Sequence, residues 1–290
     1  MIPDHMLIIN GAMGTELMNQ GVRLPLPLWS AQANIEEPQI VKSIHQNYVD
    51  AGADIITTNT FRTTTWSFRR AEYSPKRAQR KAKESLMKAI DLGRSVSPKI
   101  LAGSITSIND CYEPDKFPGK SIAEDSYGET LEWFTEAGVE HIFLETMGHL
   151  EEIKIAIDAS KNISELYLSL IIKDKEHLLS GDLIEDVFPI VNDKISCLML
   201  NCNTIDITNR VLDSFINNWN SKWGVYPNLG LTKPEPDGKM IQKVDDDEFE
   251  RTMISYIKKS PTIIGACCGS SPKHIRKIKN LLKSKMLTRS

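Results

Sequence analysis

A (β/α)8 barrel is the fold the sequence predicts, and three observations predict it. Eight short apolar runs recur along the chain, an amphipathic helical stretch follows each, and amide, carboxylate or thiol residues stand where many of the runs end. Runs of about five to eight residues have strand length. Their near-continuous hydrophobicity is that of parallel strands buried on both faces. Regular strand–helix alternation implies a parallel sheet, and eight repeats suit closure into a barrel. A doubly wound open sheet is the alternative. No G-x-G-x-x-G or Walker-type loop follows any run, so nucleotide binding has no local support.

The first run is MLIIN (6–10), ending on Asn10-Gly11. A helix over 38–50 starts at Pro38, tolerated in a first helical turn, and repeats Ile40, Val41, Ile44 and Tyr48 on one face. The second run, DIITTNTF (54–61), carries Asn59-Thr60. Residues 76–93 are rich in Lys, Arg, Ala and Leu and read as a helix stopping near Gly93. The third run is KILAGSIT (99–106), with a helix over 122–137 before Gly138. The fourth is HIFLETM (141–147), reaching Glu145-Thr146, with a helix over 150–161. LYLSLII (166–172) and a helix over 182–192 come next, then CLMLNC (197–202), ending on Asn201-Cys202, and a helix over 205–219. GVYPNLG (224–230) carries Asn228; the polar stretch 231–247 reads as a long surface loop, leading into a helix over 246–258. The last run, TIIGACCG (262–269), holds Cys267-Cys268 and precedes a helix over 272–284.

Composition narrows the function. With 41% hydrophobic and 25% charged residues, the chain is ordinary for a globular protein and not for a disordered one. Its 290 residues are expected to form one barrel domain, 1–290. A net charge of −3 gives no support for nucleic acid or an anionic membrane as partner. No apolar run reaches the ~18 residues of a membrane-spanning helix, and the opening MIPDHMLIIN lacks a secretory signal's pattern. A cytoplasmic location is expected. Five cysteines without such a signal point to reduced, reactive or metal-bound thiols rather than a disulfide framework.

Barrel active sites lie at the C-terminal ends of the strands. Cys202, Cys267 and Cys268 all fall there, on the sixth and eighth runs, which are near neighbours across the seventh. Three thiolates on one rim can hold Zn²⁺ and leave its fourth position open, as catalytic sites do. Cys is also a small buried hydrophobe, which is how Cys197, at the start of its run, reads. Neighbouring Cys side chains in a regular strand would point apart; Gly265 and Gly269 flank the pair and could let the backbone bend. Among the histidines only His149 stands near the rim, where helix capping or a surface role is expected.

Several motifs run through the chain: Gly11-Ala12-Met13-Gly14-Thr15-Glu16-Leu17, Thr58-Asn59-Thr60-Phe61, Leu144-Glu145-Thr146, Leu179-Ser180-Gly181-Asp182, Asn201-Cys202, Tyr226-Pro227-Asn228 and Gly265-Ala266-Cys267-Cys268-Gly269-Ser270-Ser271-Pro272. In these the sequence resembles the homocysteine S-methyltransferase family, zinc-dependent (β/α)8 barrels, from Ile9 to about Ile278. The resemblance implies Cys202, Cys267 and Cys268 as zinc ligands and Glu145 as the carboxylate that binds the substrate amino group. It places the Gly11 and Ala12 N–H groups at the substrate carboxylate, and Asn10, Asn59 and Asn228 in the substrate pocket. Two positions depart from the family pattern. Asn10-Gly11 stands for the usual Asp-Gly, and Ala266 for a glycine. The first removes a negative charge from the expected amino-acid pocket.

The activity so implied moves a methyl group from a small sulfonium or betaine-type donor to the thiolate of homocysteine, giving methionine. A free alkyl thiol has a pKa near ~8.5 and is mostly protonated at neutral pH; binding to zinc removes that proton. The chain has no room for extra cobalamin or folate domains, so the donor is expected to be a free small molecule. Tyr226-Pro227-Asn228 and the short chain favour the sulfonium-using members. A water-activating zinc hydrolase, a non-enzymatic zinc- or thiol-binding protein, and a methyltransferase for another thiol are the alternatives.

Overall fold

The computed structural model of the chain describes residues 6–232, 235 and 238–287. The strands are β1 (Leu7–Ile8), β2 (Ile55–Thr57), β3 (Ile100–Thr106), β4 (His141–Met147), β5 (Glu165–Leu170), β6 (Cys197–Thr204), β7 (Trp223–Asn228) and β8 (Ile263–Ile264). Between and after them run α1 (Met13–Asn19), α2 (Ala33–Glu36), α3 (Pro38–Ala51), α4 (Thr65–Arg70), α5 (Pro75–Arg94), α6 (Lys120–Glu136), α7 (Leu150–Ala159), α8 (Phe188–Val191), α9 (Ile205–Asn218), α10 (Asp246–Lys258) and α11 (Pro272–Leu287). The eight strands form one sheet in the order β1-β8-β7-β6-β5-β4-β3-β2. β1 meets β2 through the parallel bridge Ile9–Ile55 and the Asn10 N–H to Ile55 C=O bond of 3.0 Å. The architecture is the (β/α)8 barrel that the alternation predicts.

The strand wall separates two cores. Inside the barrel, Leu7, Ile9, Phe143, Tyr167, Met199 and Ile263 pack against one another, and Phe143 stacks on Tyr167 with ring centroids 4.3 Å apart. Cys197 belongs to this inner core and is 1% exposed. Outside, longer helices press apolar stripes on the sheet, among them α3, α5, α7, α9 and α11. α3 does so with Val41, Ile44 and Tyr48, the periodicity read from sequence, and it stops at Gly52, whose φ of 101° a side chain would strain. Asp245 caps α10 by accepting from the Glu248 N–H at 2.7 Å.

Some expectations need correction. The helix expected over 182–192 is a 3₁₀ turn, Ile184–Asp186, followed by the single turn α8. Pro189 has no N–H to give the carbonyl four residues back, and its ring crowds that carbonyl. The runs 54–61 and 262–269 are regular only over β2 and β8; past those points the chain bends to deliver side chains to the rim. The short helices α1, α2 and α4 escaped the sequence reading because each is only one or two turns long. The stretch 231–247 forms a loop up to α10, as expected, and folds back on itself, with the Leu231 N–H donating to Gln242 C=O and Gly230 bridging Lys243. Its prolines, Pro234 and Pro236, lie outside the described residues. No described helix is long and apolar enough to cross a membrane.

Candidate metal centre and substrate cavity

Cys202, Cys267 and Cys268 converge at the C-terminal rim. Cys202 Sγ lies 2.8 Å from Cys267 Sγ and 3.4 Å from Cys268 Sγ, and the last two are 3.9 Å apart. A tetrahedral zinc with ~2.3 Å bonds spaces its sulfurs about 3.8 Å apart, so the donor set fits a shared cation after small adjustments. The sulfurs hydrogen-bond one another, which holds Cys268 well below the usual thiol range, through bonds from Cys202 and then Cys267, and pushes Cys267 well above it. Binding a cation at such a cluster requires its thiols to give up their protons. Among the described residues this is the one group of three or more His, Cys, Asp or Glu side chains close enough to share a metal ion.

Local backbone irregularities build the centre. β6 shifts register against β7 between Asn201 and Thr204, and Cys202 adopts a φ of 54°. β4 shifts against β5 between Leu144 and Met147, and Thr146 has a φ of 55°. Such bulges re-aim side chains at barrel rims. The two are tied together by the Thr146 N–H, which donates to Asn201 Oδ1 at 3.1 Å. Cys267 and Cys268 lie beyond β8, where the Cys267 N–H reaches Pro227 C=O and Gly269 turns with a φ of 82°. Gly269 thus supplies the bend expected of it. Gly265 has another purpose: a Cβ there would sit 2.4 Å from Ile9 Cγ2, so it allows β1 and β8 to approach.

Glu145 opens to the same cavity from β4. Ser104 Oγ donates to its Oε2 at 2.7 Å and Tyr226 Oη to its Oε1 at 3.3 Å. Burial outweighs these donors and pushes its pKa up to about 7. The cavity, about 350 Å³, is lined by Glu145 and the three cysteines together with Cys111, Trp29, Phe61 and Tyr112. No histidine is among its lining residues.

The remaining sequence-assigned residues fare differently. Asn10 lines the cavity, but its Oδ1 accepts from the Thr57 N–H at 2.7 Å and Thr57 Oγ1 at 3.1 Å, and its Nδ2 donates to Gly11 C=O. Thr57 N–H is an obligate donor, so the amide orientation is fixed. The Ala12 N–H donates to Ser270 Oγ at 3.1 Å and is already used; Gly11 N–H has no partner among the described residues. Asn59 lines the cavity while its Nδ2 bonds Ser30 C=O and Asn34 Oδ1, anchoring the segment before α3. Asn228, expected in the substrate pocket, lies behind it: its Nδ2 donates to Cys202 C=O and its Oδ1 accepts from Gly230 N–H. It supports the backbone of a thiol residue instead of lining the cavity.

Other motif residues are structural. Asp182 accepts from Leu150 N–H and Ser180 Oγ. His149 caps α7, accepting from Glu152 N–H at 3.4 Å. The sequence reading missed Ser104 and Tyr112. A serine inside an apolar run is a signal for the first. Tyr112 sits in a loop without periodicity and carries none.

Comparison with known proteins points to one family. The homocysteine S-methyltransferase family matches residues 7–282. Homocysteine S-methyltransferase YbgG of Bacillus subtilis is 28% identical, covering 94% of this chain and 93% of its own. Homocysteine S-methyltransferase 1 of Arabidopsis thaliana is 25% identical, covering 95% and 93%. The metallated homocysteine methyltransferase MmuM of Escherichia coli shares the fold with a TM-score of 0.82 at 21% identity, over 96% of each chain. The chain belongs to the homocysteine S-methyltransferase family.

Proposed function

We propose that this protein methylates the thiol of homocysteine, giving methionine, from a small sulfonium or betaine-type donor, with a zinc ion held by Cys202, Cys267 and Cys268. The observation that carries the reading is one cavity bearing both three convergent thiols and a carboxylate. Zinc bound there supplies a Lewis acid that keeps a substrate thiol deprotonated at neutral pH.

The chain's own residues do the rest. Glu145 binds the acceptor ammonium, and Ser104 and Tyr226 fix the carboxylate's direction. Gly11 N–H, which has no partner among the described residues, holds the acceptor carboxylate. The acceptor sulfur attacks the donor methyl carbon, the bond from that carbon to the donor heteroatom breaks, and the donor leaves having lost one positive charge. The protein contributes alignment and a partly dry pocket, and no general base is required. Trp29, Phe61 and Tyr112 offer aromatic faces to a cationic donor.

The decisive experiment incubates zinc-loaded protein with homocysteine and each of several sulfonium and betaine donors, reading methionine by mass spectrometry. Methionine formation with one donor supports the reading; no turnover with any of them overturns it. A thiol other than homocysteine is a second reading that one observation favours. With its oxygen engaged by Thr57, Asn10 has only an N–H left to offer the cavity.

A further inference from the structure

Tyr112 stands in the loop between β3 and α6 and is half-buried at the cavity wall. Its phenol hydroxyl donates to Cys202 Sγ at 3.4 Å. Apart from the bonds among the three sulfurs and a backbone hydrogen bond at Cys268, no other side-chain donor among the described residues reaches Cys202, Cys267 or Cys268. The loop is held for this contact. Asp110 accepts from the Tyr112 N–H at 2.9 Å and lies 3.9 Å from the Arg62 guanidinium. Arg62, itself buried, also donates to Asn109 C=O, and Arg70 donates to Asn109 Oδ1. Asn109 Nδ2 in turn bonds Lys116 C=O at 3.0 Å.

We infer that Tyr112 is a positioning residue of the metal centre, donating a hydrogen bond to the Cys202 thiolate and so orienting that ligand and dispersing its charge. The inference rests on the reading that the three cysteines hold zinc. Three thiolates give a divalent ion a net charge of −1 in a partly desolvated cavity. A donor to one sulfur is a charge-assisted bond, roughly twice as strong as a neutral one. Partners of metal ligands typically change metal affinity by about 10- to 100-fold when removed.

The test compares wild type, Tyr112→Phe and Tyr112→Leu by chelator competition for zinc and by absorption of the Co²⁺-substituted proteins. Phe keeps the ring and loses the hydroxyl; Leu loses both. Tyr112→Phe is expected to bind zinc about tenfold more weakly. Its sulfur-to-cobalt charge-transfer band should move to lower energy, because a thiolate lone pair without a donor gives up an electron more easily. The band in Tyr112→Leu should move equally. A Tyr112→Phe protein with wild-type zinc affinity and an unshifted band overturns the inference, since the ring alone would then matter. Wild type that binds neither zinc nor cobalt overturns the metal reading and this inference with it, a result distinct from the former.

Discussion

Tyr226 Oη on β7 lies 3.3 Å from Glu145 Oε1 on β4, across the barrel interior from it. The same hydroxyl is 2.7 Å from Ser169 Oγ. Tyr226 has one proton and gives it to the carboxylate, so Ser169 donates to Tyr226. The chain of hydroxyls aims Glu145 at the cavity without supplying a positive charge, which leaves its pKa raised to about 7.

That raised pKa sets a pH dependence. Below about 7 the carboxyl is protonated and has no charge to offer an ammonium. Above it the carboxylate forms. KM for homocysteine should therefore fall as pH rises from 6 to 8, relative to KM for 4-mercaptobutanoate, which lacks the amine and cancels the titration of the thiol. Glu145→Gln should remove this relative slope. Losing a charged hydrogen bond worth ~1.5–3 kcal/mol should raise KM for homocysteine about 10- to 100-fold. Equal effects on both thiols would show that Glu145 does not bind the amine.

Asn10 decides how much of the ammonium is left to Glu145. Asn10→Asp keeps an oxygen for Thr57 but sets a second oxygen where Nδ2 now donates to Gly11 C=O at 2.9 Å. Two acceptors then face each other, and a bound ammonium relieves the repulsion. The variant should be less stable alone, by roughly 1–2 kcal/mol. It should favour homocysteine over 4-mercaptobutanoate about tenfold more than wild type does in kcat/KM. Unchanged selectivity would reduce Asn10 to its role in joining β1 to β2.

His45 on α3 is fully buried, and neither ring nitrogen has a partner among the described residues. Burial lowers its pKa to about 4. Between pH 6.5 and 4 the unfolded chain binds a proton that the folded chain refuses, so stability falls as pH falls through that window. The total is about 3 kcal/mol, from ~1.4 per pKa unit. His45→Leu should be more stable at pH 7 by roughly 1–3 kcal/mol, and the gap in urea midpoint should widen at pH 5. A gap that is the same at both values would mean that His45 does not carry the acid sensitivity.

The barrel and its thiol rim were legible because both leave marks on the sequence. Buried parallel strands read as apolar runs, and three cysteines fall at the ends of two runs that flank the same strand. The amides misled. Asn10, Asn59 and Asn228 all stand at run ends, yet each spends its amide on backbone groups where the strands lose regular pairing. A run end shows that the chain turns polar there; it does not show which way an amide faces. Pairing between distant residues, such as Tyr112 with Cys202, has no local signature at all.

The thiol rim gives the sharpest test, because the chain contains its own controls. Cys202→Ala, Cys267→Ala and Cys268→Ala each remove one of three convergent sulfurs. Two convergent thiolates, with Cys111 on the cavity wall but outside the cluster and no histidine among the lining residues, make a poor zinc site, so each variant should retain little zinc after dialysis and show no methyl transfer. Cys197 lies in the inner core at the start of β6, away from the rim. Cys111 is buried beside Tyr112, and burial pushes its thiol up to about 12, which keeps it protonated. Cys197→Ala and Cys111→Ala should keep one zinc per chain, at a loss of roughly 1 kcal/mol from the small cavities they leave. Zinc content by mass spectrometry on all five proteins, with thermal unfolding beside it, separates loss of metal from loss of fold. Full zinc occupancy in Cys268→Ala would remove that residue from the site, and zinc loss in Cys197→Ala without unfolding would place the metal elsewhere.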